Sequence, residues 1–463
     1  MSRAAQFMLL VTAGAAACAR YTPAPVDPVG MAAAVAARRL DDPALADYLA
    51  RQGARLAGED WSDADLVVAA YYFHPAMEEA RANRQAAEAG LLSAGARARP
   101  DVDGEVGYGV TGSDAFESPW VAAVAAVFIL ELGGKRGARI AAARARAAVA
   151  EVEVDATAWR VARGVLNAAE ELAAARERVG EARLERQAAE ALAAAAGARY
   201  ARGEIGHASL AATEAAALES RAGEAARVAQ ARVAENTLAE AIGVPHAALE
   251  GVSIRPAARL ACRAVEADDS LVQKALRTRA EVGRAIARYA VAEGDLRLAV
   301  AGSYPDLALG PGFTWDQGVG RWSVLAGLPR LPVDGNRGPI AEAMRRREVA
   351  AAGVTAAQLQ VLSEVEVAAA RCAAARGELA TADSVATASE QRLDAARRAY
   401  ARGEIAAADT AAVLLPLVRA RTAAVEARRR EAGAALALSA AVGQWPALER
   451  ADPRIPPRPE PEP

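Results

Sequence analysis

The sequence predicts a mainly α-helical protein with a small amount of β structure, built by tandem duplication of one unit of about 200 residues. Three observations predict this fold class. Hydrophobic residues make up 53% of the 463 residues and aromatic residues only 4%, with alanine supplying most of the apolar content. Alanine favours long helices packed side by side over a thick core. Three short stretches alternate with the period of two that is typical of strands, and a fourth apolar stretch returns beside the first. The hexapeptide YARGEI occurs at both Tyr200–Ile205 and Tyr400–Ile405.

The first residues are typical of a bacterial export signal. Arg3 precedes the apolar run FMLLVTAGAAA, and small residues lead into Cys18, as in a lipoprotein cleavage box. We therefore predict a signal peptide at 1–17 and lipidation of Cys18. The alternative is an ordinary secretory signal that is cut after an alanine, with Cys18 incidental.

The duplication extends well beyond the hexapeptide. The stretch AAAR at 173–176 recurs at 373–376, GGKRGARIAAA at 133–143 resembles DGNRGPIAEA at 334–343, and PDV at 100–102 matches PDL at 305–307. Because these landmarks recur in the same order, we predict repeats at 61–250 and 251–451.

Each repeat begins with a helix, predicted at 75–98 and again at 280–302. In each repeat an alternating stretch and a return stretch follow, joined by a glycine-rich turn, and they predict strand pairs at 102–110 with 120–130 and at 307–316 with 321–328. Strands of this length, with aromatic ends, suit a membrane barrel. Four strands cannot close a barrel alone, so that interpretation requires an oligomer. The alternative is a small soluble sheet that caps the helical body.

A long helical hairpin completes each repeat. The first helix is predicted at 139–201, which spans about 90 Å, and its return helix ends at Ile242. The second copy is predicted at 338–402 and 404–442. We expect Pro416 to kink the last helix.

YARGEI lies at the tip of each hairpin. Gly203 and Gly403 can adopt the left-handed backbone that ends a helix. We expect Glu204 and Glu404 in the first turn of the next helix, where negative charge suits the helix dipole. A turn alone explains the glycine, but it does not explain why tyrosine, arginine and glutamate recur.

Composition and spacing argue against several functions. The formal net charge of −3 provides no basic field for nucleic acid. Cys18, Cys262 and Cys372 form no CxxC pair, so we expect neither a disulfide framework nor a zinc site. Three histidines without HxxxH or Ser–His–Asp spacing predict no enzyme, metal or cofactor. The stretch GGKRG lacks the GK[ST] ending of a phosphate loop.

In combination, these features resemble the TolC-like outer-membrane efflux factor family. The likeness rests on Cys18 followed by YTPAP, the helix starts FHPAM and RAEVG, the outgoing strands RPDVDGEVGYG and SYPDLALGPGF, and the two YARGEI tips. The stretch LPVDGNRGPIAEA resembles the heavy-metal branch of the family (CzcC/CusC-like). The likeness covers about residues 61–444.

The resemblance implies a homotrimer with a twelve-stranded outer-membrane β-barrel and a periplasmic α-barrel. It also implies a lipid-anchored N-terminal arm at residues 18–60 that contains a short helix. It implies a passive gated conduit that docks a periplasmic membrane-fusion adaptor and is fed by an inner-membrane pump. A disordered proline-rich tail is expected at 452–463. The exported substrate stays open between metal ions, drugs, solvents and peptides. The rival interpretation is a periplasmic coiled-coil scaffold or adaptor without a pore.

The resemblance also assigns site residues. The gate at the periplasmic aperture would be formed by Tyr200, Ser209, Tyr400 and Asp409. The hairpin tips that dock the adaptor would be Gly203, Glu204, Ile205, Gly403, Glu404 and Ile405.

Overall fold

The computed structural model describes residues 21–52, 60–109, 119–254, 261–262, 269–316, 318–329, 331, 333–444 and 454. Cys18, the predicted signal peptide and all of the predicted tail except Arg454 lie outside the described residues. The helices are α1 Pro28–Ala36, α2 Pro43–Arg51, α3 Asp63–Phe73, α4 Pro75–Gly95, α5 Lys135–Ala201, α6 His207–Ile242, α7 Asp269–Thr278, α8 Ala280–Ala301, α9 Arg337–Ala401 and α10 Ala407–Val442. The strands are β1 Asp60–Trp61, β2 Asp101–Tyr108, β3 Trp120–Leu130, β4 Ser253–Ile254, β5 Leu307–Asp316 and β6 Val319–Gly327.

The long helices form a single layer, the helical wall. Helices α4 and α6 pack on α5, which also packs on α8 and α10, and these two pack on α9. The order across the wall is therefore α4 and α6, then α5, then α8 and α10, then α9. Helix α9 and the α4–α6 pair stand at its two edges.

The strands β2, β3, β5 and β6 form one antiparallel sheet in that order. The pairing of β3 with β5 joins the two repeats, and β2 and β6 are the edges. The predicted strand bounds match β3 and β5 to the residue. Both predicted hairpins and the mainly α fold class with a tandem duplication are confirmed.

Each long helix begins at a left-handed residue beside the sheet. Gly134 has φ 74° before α5, and Asn336 has φ 59° before α9. Asn336 holds that conformation with its side chain, since its Nδ2 donates to the carbonyl of Ala299 at 2.6 Å. Asparagine tolerates this backbone region better than most residues. These turns start the helices at Lys135 and Arg337, slightly before the predicted starts.

Shorter elements pack on one face of the wall and form an apolar cluster there, which we call the equatorial cluster. In the first repeat, α2 and α3 bury Leu45, Tyr48 and Leu66 against Val165 and Leu172 of α5. Strand β1 pairs in parallel with β4. The second repeat buries α7 against α9 and α10.

The N-terminal arm contains two helices, α1 and α2, where one short helix was predicted.

Cys262 and Cys372 form a disulfide, so the prediction of no disulfide framework was wrong. The two residues are 110 positions apart in sequence and their Cα atoms lie 5.4 Å apart. Both are buried in the equatorial cluster of the second repeat. Sequence spacing could not reveal this pair, because only the packing of the second repeat brings Cys262, which lies between β4 and α7, next to α9.

Helix α10 continues through Pro416 without interruption. Arg454, in the predicted tail, forms ion pairs with Glu151 and Asp155 of α5. Among the described helices, none combines the length and apolarity of a membrane-spanning helix.

Candidate functional site

The two YARGEI tips share one backbone motif at the far end of the wall. Helices α5 and α9, of 67 and 65 residues, both start beside the sheet, so both tips lie about 100 Å away from it. In the first tip the Gly203 N–H donates to the Tyr200 carbonyl at 2.8 Å, and the Glu204 N–H donates to the Arg199 carbonyl at 3.0 Å. This pair of bonds is a Schellman motif.

The second tip repeats that motif. The Gly403 N–H donates to the carbonyl of Tyr400 at 2.9 Å, and the Glu404 N–H donates to the carbonyl of Ala399 at 2.9 Å. Gly203 and Gly403 have φ values of 74° and 75°. The prediction that these glycines end the helices is confirmed.

The prediction for the two glutamates was wrong, because the return helices begin only at His207 and Ala407. Glu204 and Glu404 lie in the turn itself. Arg202 Nε donates to Glu204 Oε1 at 2.6 Å, and Arg402 Nε donates to Glu404 Oε1 at 2.5 Å. The recurrence of arginine and glutamate therefore has a local cause, since this ion pair closes the turn in both repeats.

The tips differ where their return helices begin. Asp409 Oδ2 accepts the Ala406 N–H at 2.9 Å and so satisfies a free donor at the start of α10. Ser209, at the matching position, donates its backbone N–H to Gly206 as Asp409 does to Ala406, but among the described residues its side chain does not cap the Gly206 N–H. The Tyr200 ring packs edge-on to His207 at 6.1 Å between centroids. Alanine replaces that histidine at position 407.

The predicted gate and docking residues share the same accessible end of the wall. Tyr200 and Tyr400 are 42% and 51% exposed, while Ile205 and Ile405 are partly buried. Asp409, Ser209 and both glutamates are exposed. Two sets of side chains are thus presented together at the end of a rigid helical hairpin.

A duplicated ion pair braces each hairpin below its tip. Arg221 Nε donates to Glu190 Oε1 at 2.7 Å in the first hairpin, and Arg421 Nη2 donates to Glu390 Oε1 at 2.8 Å in the second. The four positions are offset by 200 residues, like the tips. Sequence analysis missed this brace, although equal spacing of arginine and glutamate in both repeats is a signal that could have revealed it.

The junction between sheet and wall is also held by a pair that sequence analysis missed. Lys135 Nζ donates to Asp306 Oδ1 at 2.6 Å, and the two side chains are only 15% and 20% exposed. Lys135 follows the glycines of the first repeat, and Asp306 precedes β5 of the second. The pair therefore connects the two repeats.

Over the part of the chain that the structure describes, no group of three or more histidine, cysteine, aspartate or glutamate side chains is arranged to hold a metal ion.

Comparison with known families decides the identity. The model of the outer membrane efflux protein family matches residues 67–244 and 271–444, one stretch in each repeat and most of the chain together. The chain belongs to the outer membrane efflux protein family. No curated protein matches the sequence significantly.

Solved structures of outer-membrane proteins have the same fold as this chain. VceC of Vibrio cholerae is 21% identical and aligns over 82% of this chain and 95% of its own, with a TM-score of 0.65. The open-state MtrE channel of Neisseria gonorrhoeae is 17% identical over 84% and 90%, with a TM-score of 0.64. CusC is 16% identical over 82% and 91%, with a TM-score of 0.65. The predicted family resemblance is confirmed. Because these structures are at most 21% identical to the chain, their likeness is evidence for the fold alone.

Proposed function

We propose that three copies of this chain form a gated outer-membrane conduit that exports small molecules or metal ions as the channel component of a tripartite efflux system. The observation that carries this proposal is that both layers of the chain end in open edges. The sheet ends at β2 and β6, and the helical wall ends at α9 and at the α4–α6 pair. Copies arranged in a ring would pair each edge with its counterpart, because sheet edges and helix faces need partners.

The exposed surface of the sheet supports a membrane location. Val102, Val106, Trp322 and Val324 are between 68% and 81% exposed. An outward apolar band with aromatic residues at its border is the surface that a lipid-embedded barrel presents. Twelve strands from three chains would close such a barrel, and a lipid on Cys18 would anchor the arm beside it.

The two tips would form the periplasmic aperture and the docking surface for the adaptor. Tyr200, Tyr400, Ser209 and Asp409 would surround the opening. The turn residues from Gly203 to Ile205 and from Gly403 to Ile405 would contact the helical hairpins of a membrane-fusion adaptor that links the conduit to an inner-membrane pump. The YARGEI turns are suited to docking, because the Schellman bonds and the Arg–Glu pair fix the backbone before a partner arrives.

The proposal includes no particular cargo. The DGNRG stretch favours the metal branch, but CusC aligns no better than VceC or MtrE.

Conductance in planar lipid bilayers tests the proposal. Purified full-length protein should insert and give discrete current steps, and a Tyr200→Ala/Tyr400→Ala variant should give larger steps because two rings leave the aperture. Leu218→Ala, an exposed change on α6 away from the tip, should leave the steps unchanged. A protein that never conducts would instead fit the scaffold interpretation.

A further inference from the structure

A cavity of about 550 Å³ lies inside the wall where α8 and α10 meet end to end between α5 and α9. Thr278 Oγ1 donates to the carbonyl of Val442 at 2.9 Å and fixes this junction. The end of α10 contributes only Ala437, Ala440 and Ala441 to the lining. Small side chains at a helix junction leave open volume there.

The lining of this cavity is strongly basic. It contains two glutamates, Glu281 and Glu364, and five arginines: Arg160, Arg163, Arg279, Arg284 and Arg371. Both glutamates bind the same arginine, since Arg279 Nε donates to Glu281 at 2.8 Å and Arg279 Nη2 donates to Glu364 at 2.6 Å. The other four arginines gain no partner from the acidic lining.

Two of these four share a single carboxylate outside the lining. Arg160 Nη2 lies 3.7 Å from Glu153 Oε1, and Arg284 Nε lies 3.3 Å from Glu153 Oε2. The Arg284 contact is not a hydrogen bond, and within the described chain its buried Nε has no acceptor. A buried donor without an acceptor costs free energy until a ligand or water supplies one.

Arg163 on α5 and Arg371 on α9 both line the cavity. Neither has an ion-pair partner among the described residues. Each guanidinium offers planar donors that suit carboxylate, sulfonate or phosphate oxygens. Trp159 and Val367 also line the cavity and add an apolar surface beside the charges. The lining thus combines hydrogen-bond donors for an anion with an apolar surface for an aromatic ring.

Along α5 the cavity lies on the side of the helix opposite the equatorial cluster, whereas at α9 and α10 Ala368 and Ala441 belong both to the cavity lining and to the cluster of the second repeat. On α5, Arg163 lies about 200° around the helix from both Val161 and Val165, which are buried in that cluster. On α9, Val367 lies about 200° from both Val365 and Ala369, which are buried in the cluster of the second repeat. In the proposed ring the bulky cluster would stay outside, so the α5 side of the cavity, with Arg163, would face the lumen.

We propose that this cavity binds small organic anions with an aromatic body, and that three copies of it form a basic band inside the tunnel. This inference rests on the proposed conduit and names a class of cargo for it. The band is separate from the aperture, because about 40 residues of α5, or about 60 Å, lie between Arg160 and the tip. The converging guanidinium groups would raise the local concentration of anions.

The test is a fluorescence anisotropy titration of detergent-purified full-length protein with pyranine, an aromatic trisulfonate. We expect saturable binding that weakens with added salt. Arg163→Gln/Arg371→Gln should weaken binding at least about tenfold, because it removes the two unpaired guanidinium groups. Arg163→Lys/Arg371→Lys keeps the charge and should therefore lose less affinity for pyranine than the glutamine variant. Arg39→Gln, in the arm outside the wall, should bind pyranine as tightly as the wild type does.

Equal affinity in the glutamine variant, or no saturable binding by the wild type, would overturn the inference. Both exchanged residues are exposed and lack ion-pair partners among the described residues, so we expect the variants to keep the wild-type unfolding temperature. Bilayer conductance of the same samples separates the two proposals. Protein that conducts without binding pyranine refutes only the anion site, whereas protein that binds it without conducting refutes the conduit.

Discussion

Cys262 and Cys372 link the segment between β4 and α7 to the middle of α9 through a disulfide that closes 110 residues of chain. The bond lies in the equatorial cluster of the second repeat, where the Cys262 N–H also donates to Glu431 at 3.3 Å. A disulfide stabilises chiefly by restricting the unfolded chain, and a loop of this length corresponds to about 2–5 kcal/mol. The second repeat therefore depends on oxidation for part of its stability.

We predict that Cys262→Ala/Cys372→Ala lowers the thermal unfolding temperature of the purified protein, followed by circular dichroism. Reductant should lower it similarly in the wild type and should have no effect on the double variant. Quantitative reaction of both cysteines with a thiol reagent, in unreduced denatured wild type, would show that the bond does not form.

The tip glycines provide a prediction about local stability. Gly403→Ala should destabilise its turn by about 1–2 kcal/mol, because alanine must adopt φ 75° there. Open space surrounds the position, so no clash adds to this cost. Gly206→Ala is the matched control, since Gly206 has φ −83° in equally open space.

Hydrogen exchange of the amides at the tips is the suitable measurement, because such a turn opens without global unfolding. Faster exchange at Gly403 and Glu404 in Gly403→Ala, with little change in Gly206→Ala, is expected. Equal protection of the second tip in Gly403→Ala and the wild type would contradict the requirement for a left-handed residue.

His74 predicts a pH dependence of stability. Its Nδ1 accepts the Ala76 N–H at 3.2 Å and caps α4, which requires that nitrogen to be unprotonated. Burial lowers the pKa of His74, and the nearby charges of Arg160 and Arg38 lower it further. Since the folded pKa is below the unfolded value of about 6.5, this stability is present above pH 6.5 and is lost as pH falls through the folded pKa.

We therefore expect the unfolding temperature to fall between pH 7.5 and 5.5, and to fall less in His74→Asn, which keeps a capping acceptor that does not titrate. His246→Asn should show the wild-type pH dependence. An identical pH dependence in His74→Asn would show that the cap does not titrate in this range.

The Lys135–Asp306 pair predicts energetic coupling between the repeats. Lys135→Met should cost about 1–3 kcal/mol, because it leaves a mostly buried carboxylate without its cation. Asp306→Asn should couple with it in a double-mutant cycle of unfolding free energies. The exposed pair Arg39–Asp41 is the control and should show little coupling. Additive effects at Lys135 and Asp306 would mean that the junction is held by other contacts.

The parts of the fold that could be predicted from the sequence depend on short-range patterns within one strand or one helical hairpin. The bounds of β5 follow from period-two alternation, those of β3 follow from an apolar return stretch after a turn, and the helical hairpins follow from alanine-rich stretches interrupted by Gly203 and Gly403. The recurrence of YARGEI marks both tips, because it interrupts the helical pattern at the same point of each repeat.

Features that depend on distant segments could not be predicted in this way. The partners in Cys262–Cys372 and Lys135–Asp306 are 110 and 171 residues apart, so only the packing of the repeats shows them. Glu204 was misplaced because a Schellman turn uses the glycine and the next residue before a new helix can begin. The basic cavity needs four helices to exist at all, although each of its arginines is visible in the sequence.

Native mass spectrometry of protein extracted from outer membranes tests the central claim most directly. The proposed conduit predicts three identical chains, each starting at Cys18 and carrying the mass of a lipid anchor. A monomer or dimer that is released from the membrane without lipid would contradict the claim, because four strands cannot close a barrel by themselves.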